Sequence, residues 1–141
     1  MKRKDLLLRL AAGIGADVAD YNRLRGLLQE QFEAAVCHRS EAIAAVGEAI
    51  VALAGTLEAR RQERVALAGR LSLEKGAEAM QRIFAMLPPN PRERLQASWQ
   101  GLERLVRECK AMNQRNCNLL MEQHEIMQRV LNTEADTYVP R

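Results

Sequence analysis

Apolar residues recur along this chain at helical spacing, in long stripes interrupted once by a run of prolines. The strictest stripe lies toward the C-terminus. Leu95, Trp99, Leu102, Val106, Cys109, Asn113, Asn116, Leu120, Gln123, Met127 and Val130 follow one another in steps of four and three, a heptad seam that keeps one helix face against a partner. A parallel row of Leu105, Met112, Leu119 and Ile126 widens that face. Pro88-Pro89-Asn90-Pro91 precedes the seam, and no helix interior accepts such a run. With Asn90 as N-cap and Pro91 in the first turn, the pattern predicts a helix over about 91–134. At the helical rise it is roughly 65 Å long.

The block before the prolines holds two further stripes. Ile43, Val46, Ile50, Leu53, Leu57, Arg60, Arg64, Leu67 and Leu71 step by three and four, crowded by alanines that let a neighbour approach closely. Ser40 reads as its N-cap and Glu41 as its first-turn acid. Upstream, Leu7, Leu10, Ile14, Val18, Tyr21, Leu24, Leu28, Phe32 and Ala35 form the other stripe, weakened by Gly13 and Gly15. The two stripes are either separate helices that break near Cys37-His38-Arg39 or one bent helix. A shorter amphipathic piece carries Met80, Ile83, Phe84 and Leu87, with Ser72 placed to cap it. The reading is all-α: a single elongated antiparallel up-down bundle over 1–134, with helices at about 4–36, 40–71, 73–87 and 91–134. Residues 135–141 are expected to form a flexible tail.

Composition supports this picture. One Trp, two Tyr and two Phe are the only aromatics, so the core must come from Leu, Ala, Ile, Val and Met, a mixture suited to helix seams. The net charge of +3 arises from 21 basic and 18 acidic residues, interspersed except for Met1-Lys2-Arg3-Lys4. That is a solvated helical surface, not a nucleic-acid footprint. No signal peptide is read, and no window is judged to approach the ~20 apolar residues of a membrane span; the expected compartment is the cytoplasm, without membrane insertion. Cys37, Cys109 and Cys117 are read as small buried hydrophobes rather than as a disulfide framework. Gly13-Ile14-Gly15 lacks a third glycine and a preceding strand, so no dinucleotide site is expected. His38 and His124 have no partner at metal-ligand spacing and are placed on solvated faces, and no nucleophile has a base. Neither metal, cofactor nor catalytic residue is therefore assigned. Arg60 and Arg64 interrupt their seam; the favoured reading is that their stems turn outward, the other that they recognise an acidic partner.

Asn113 and Asn116 stand in the last seam where apolar residues would be more stabilising. One reading is that they fix register; the other is that this stretch faces a groove and offers its amides to a bound segment. The stretch Leu105-Val-Arg-Glu-Cys-Lys-Ala-Met-Asn-Gln-Arg-Asn-Cys-Asn-Leu-Leu120 resembles the signature of FlgN-type flagellar export chaperones, an Asn-x-x-Asn followed by a Leu-Leu pair late in a long helix. Here those residues are Asn113, Asn116, Leu119 and Leu120. Residues Tyr21 to Ala35 resemble an upstream helix of that family, and Arg60 or Arg61 falls near a common arginine; the usual mid-helix lysine is missing between Arg39 and Arg60, and Val36 stands for Leu.

The resemblance implies a chaperone that binds the C-terminal helical segments of hook–filament junction proteins, prevents their premature assembly and delivers them to the flagellar type III export apparatus. Its mechanism would be helix-in-groove pairing. Asn113, Asn116, Leu119, Leu120, Gln123, Ile126 and Met127 are the candidate client-binding residues. Tyr138 is the candidate for docking on the export gate, with the ATPase complex as a further partner that spends the ATP. A structural coiled-coil protein that oligomerises through its heptads is the rival reading, and weak self-association is compatible with either.

Overall fold

Each stripe becomes a helix. The computed structural model describes residues 2–74 and 76–138, apart from the side chains of 133–138. Helix α1 spans Arg3–Val36, α2 Ser40–Leu71, α3 Ala77–Ala85 and α4 Pro89–Tyr138, with no strand among the described residues. The backbone of α4 thus stays helical to Tyr138, past the expected start of a tail at 135. Residues 139–141 and the side chain of Tyr138, with the tail and docking roles expected of them, lie outside the described residues.

The break between α1 and α2 is real and sharply built. His38 N–H donates to Ala35 O at 3.1 Å, and Arg39 N–H reaches back to Ala34 O at 2.9 Å. These are the two bonds of a Schellman turn, which needs a left-handed residue at its centre. His38 fills that place with φ 54°, where a Cβ is strained and glycine is not. His38→Gly is therefore expected to raise stability by about 1 kcal/mol, measured as a later midpoint in urea unfolding.

The other helix ends depart from expectation. Helix α2 starts at Ser40 itself, and Arg39 is the capping position, with no side-chain bond. The Ser72 hydroxyl accepts from Glu74 N–H at 3.1 Å, and Gly76 (φ 67°, ψ −141°) caps α3, a conformation that glycine alone adopts readily. Helix α4 begins at Pro89, so Asn90 lies inside it. Its first i to i−4 bond runs from Arg92 N–H to Pro88 O, at 2.9 Å. Pro89 and Pro91 are tolerated because first-turn amides have no helical acceptor in any case. The Arg92 guanidinium donates to Phe84 O at 3.0 Å and Leu87 O at 2.8 Å, a cation closing the C-terminal end of α3.

Helix α1 is the central element. It packs along both α2 and α4, while the α2 and α4 backbones do not approach each other, and α3 bridges them at the base. A hydrophobic core lies there, where Leu6, Leu10 and Ile14 of α1 meet Leu67, Met80, Ile83, Phe84, Leu95 and Leu102. Chain direction is up, down and up, so α2 is antiparallel to α1 and α4 parallel to it.

Above this core sits a charged layer. Asp17, 1% exposed, accepts from Arg60 Nη1 at 2.7 Å and is also paired with Arg64. Arg60 holds Asp20 as well, at 2.9 Å, and the Arg64 guanidinium lies 5.4 Å from the centre of the Trp99 ring. The hydrogen bond to Asp17 pushes the Arg60 pKa up, outweighing the opposing effect of burial. The two arginines therefore turn inward, not outward, and their charge is spent on α1 carboxylates rather than left for an acidic partner.

Two further expectations are corrected. Only Cys109 is buried; Cys37 and Cys117 are exposed, because they fall at the end of α1 and off the α1-facing row of α4. Helix α2 contains an 18-residue window of mean hydropathy 1.6, so by length and composition it is able to cross a membrane, against the reading that no window qualifies. Alanines at 42, 44, 45, 49, 52 and 54, with Glu48 the lone charge of residues 42–57, carry that hydropathy. Just 17% of the window is buried.

Candidate functional site

The C-terminal seam meets α1 in a strict register. Cys109 Sγ donates to Tyr21 O at 3.6 Å, Asn116 Nδ2 to Leu28 O at 2.7 Å, and Gln123 Nε2 to Ala35 O at 2.8 Å. The partners advance by seven on both helices, always 88 residues apart. That constant offset is the mark of parallel, in-register heptad pairing. Leu102 and Ile14 share the same offset and the same core cluster.

Asn116 is fully buried and its polar capacity is used internally. Its amide also donates to Gln31 Oε1 at 2.9 Å, and its Oδ1 accepts from Arg115 Nε at 3.1 Å. Of the two readings of the asparagines, register fits Asn116. An aspartate there would aim a carboxylate at two acceptors, so Asn116→Asp is expected to lose about 2–3 kcal/mol of stability, read from thermal or urea melts. Asn113 is different: it is exposed. It stands on the wall of an open cleft of about 350 Å³ bounded by α1, α2 and α4, together with Tyr21, Leu24, Ile50, Val106 and Lys110. The Tyr21 hydroxyl and the Cys109 thiol, both partly screened from water, have pKa values raised chiefly by burial, so the protonated forms are favoured.

The seven candidate client-binding residues thus do not form one exposed patch. Asn116 and Gln123 are engaged with α1, Leu119 and Leu120 are half-buried, and Asn113, Ile126 and Met127 are exposed. Beyond Gln123 the geometry changes, because Ala35 lies in the last turn of α1 and α1 ends at Val36. The row that faces α1 continues to Val130, whose partner at the same offset would be residue 42, which belongs to α2. Helix α4 overruns its partner by residues 124–138, about 22 Å at the helical rise. Along this overhang Ile126, Met127, Val130 and Leu131 are each more than half exposed, and Met121 just below is 61% exposed. Val130, Leu131 and Met121 join the candidate residues on the strength of this geometry. The signal for Val130 was present in the sequence, since the seam runs past the point where the first stripe ends.

Scattered surface hydrophobes are ordinary, but a run along one helix face is a face left unpartnered among the described residues. Among the described residues no group of three or more His, Cys, Asp or Glu is arranged to hold a metal. The fold is a helical bundle whose last helix carries an exposed apolar row beyond the end of α1. Comparison with known families agrees: the FlgN model, described as FlgN protein, matches residues 7–133. The chain therefore belongs to the FlgN family of flagellar export chaperones. No curated protein and no solved structure matches it.

Proposed function

We propose that this chaperone binds the C-terminal amphipathic segment of a hook–filament junction protein on the α4 overhang, holds it unassembled in the cytoplasm, and hands it to the flagellar type III export gate and ATPase complex. The observation that carries this is the exposed row Ile126, Met127, Val130 and Leu131, which continues a helix-pairing seam past the end of α1. A client helix would enter the lane that α1 vacates and present its apolar stripe to the same heptads. Leu119 and Leu120, half-buried at the junction, would be shared between the bundle and the client. Asn113 extends the polar wall of the cleft below. Tyr138, on the last described turn of α4, is the candidate for contact with the export gate. Membership of a chaperone family favours this over a purely structural coiled coil.

A client segment that folds on contact gives a direct readout. Mixing the chaperone with the isolated C-terminal segment of a junction protein is expected to give more helical circular dichroism than the sum of the two alone. Spectra that simply add, from a chaperone that self-associates through 124–138, would support the coiled-coil reading instead.

A further inference from the structure

The basic cluster at the N-terminus takes no part in client binding as proposed above. It lies at the base of the bundle, the full length of α1 away, about 51 Å at the helical rise. Lys2, Arg3 and Lys4 are exposed, and no ion pair among the described residues holds them. Their position is unfavourable for the helix itself, since the start of a helix is the positive end of its dipole and attracts acids, as at Asp5, rather than cations. Helix stability therefore does not explain them.

Arg3 and Lys4 stand on the rim of a cleft of about 410 Å³ between the first turns of α1 and the connection from α3 to α4. Its walls are apolar: Leu7, Leu8, Ala11 and Leu87 contribute, and Leu8 is 59% exposed. Apolar cavities of about 150 Å³ already hold a benzene ring, so this cleft has room for more than one large apolar side chain. The neighbouring cation Arg92 is occupied by the carbonyls of Phe84 and Leu87, so Arg3 and Lys4 give the rim its charge.

We infer that this cleft is a second docking surface, which takes an acidic protein segment by seating its apolar side chains between α1 and the α3–α4 connection while its carboxylates meet Arg3 and Lys4. The complement of a cationic rim is an anionic partner, and the complement of a concave apolar wall is a protruding side chain. An anionic membrane satisfies only the first condition. To enter a lipid surface α1 would need a broad outward apolar face, but Leu6, Leu10 and Ile14 are buried in the core and, of the large apolar side chains in its first four turns, Leu8 alone is mostly exposed. The site stands whether or not the overhang binds a client, and its distance from the overhang leaves room for both to be occupied at once.

The test uses the full chain and a fluorescein-labelled peptide of alternating Glu-Glu and Leu-Leu pairs, followed by fluorescence anisotropy. Binding is expected to weaken about ten-fold in Arg3→Glu/Lys4→Glu, and similarly when the peptide glutamates are replaced by glutamine, as for a charge-complementary contact. Ala11→Trp, which fills the cleft, should weaken it too, while Ile126→Asp/Val130→Asp should leave it unchanged. Helical circular dichroism confirms that each variant is folded; Arg3 and Lys4 are exposed, so the charge-reversed protein keeps the test decisive if Ala11→Trp does not fold. The inference is overturned if the peptide fails to bind, if charge reversal leaves its binding intact, or if binding is lost in the Ile126→Asp/Val130→Asp protein. It is equally overturned if the wild-type protein binds phosphatidylglycerol vesicles through Arg3 and Lys4 in preference to the peptide.

Discussion

Asp17→Ala is expected to destabilise the bundle by about 3–5 kcal/mol, because it takes the shared counter-charge from two part-buried guanidinium groups, of which Arg60 keeps Asp20. Asp17 has a side chain 2% exposed, and Arg60 and Arg64 are each 20% exposed, so solvent relieves little of the loss at the carboxylate and some of it at the arginines. The value should accordingly fall toward the lower end of that range. Removing the whole cluster is a different experiment: replacing Asp17, Arg60 and Arg64 together by apolar residues of similar volume is expected to cost far less, since a buried ion pair contributes little beyond its own desolvation. Urea unfolding followed by circular dichroism measures both. Trp99 is the sole tryptophan and lies against Arg64, so its fluorescence should change in Asp17→Ala even in the folded state. A loss below about 1 kcal/mol in the single variant would mean that the cluster is not held as a buried pair.

Much of this arrangement is readable from the sequence, and the failures have physical causes. The stripes locate the three long helices and a single apolar face locates the short one, over 73–87 where the structure has Ala77–Ala85, because side-chain periodicity depends only on the helix itself. The greater length of the last seam is visible in the sequence, but the overhang follows only from the 88-residue register against α1. The inward turn of Arg60 and Arg64 was not readable from their own seam, where a charge looks like fraying. The missing half of the pattern is Asp17, which takes the place between Ile14 and Tyr21 in steps of three and four and so puts an acid opposite the arginines. Residue type also misled at the helix ends. Ser40, Ser72 and Asn90 are all good capping residues, yet the caps are made by backbone geometry at His38 and Gly76 and by the proline turn. The burial of Asn116 beside an exposed Asn113 follows from register against α1, which one helix alone does not specify.

The second large effect belongs to the overhang. Ile126→Asp combined with Val130→Asp is expected to weaken client binding about 100-fold or more, the loss of roughly two buried anchor side chains. Both residues are more than half exposed in the free protein, so unfolding stability should stay within about 0.5 kcal/mol of wild type. This separation of binding from folding distinguishes the overhang from Asn116, where a substitution acts on the bundle. A double variant that unfolds would show that 126 and 130 belong to the core; one that folds and binds as before would place the client elsewhere.

The most direct measurement is titration calorimetry of the chaperone with the C-terminal segment of a hook–filament junction protein, performed at several temperatures with wild type and the Ile126→Asp/Val130→Asp protein in parallel. The expected result is one-to-one binding at micromolar affinity or tighter, with a negative heat-capacity change from buried apolar surface, lost in the variant. Absence of binding by a folded wild-type protein, or equal binding by both proteins, would contradict the assignment of the α4 overhang as the client site.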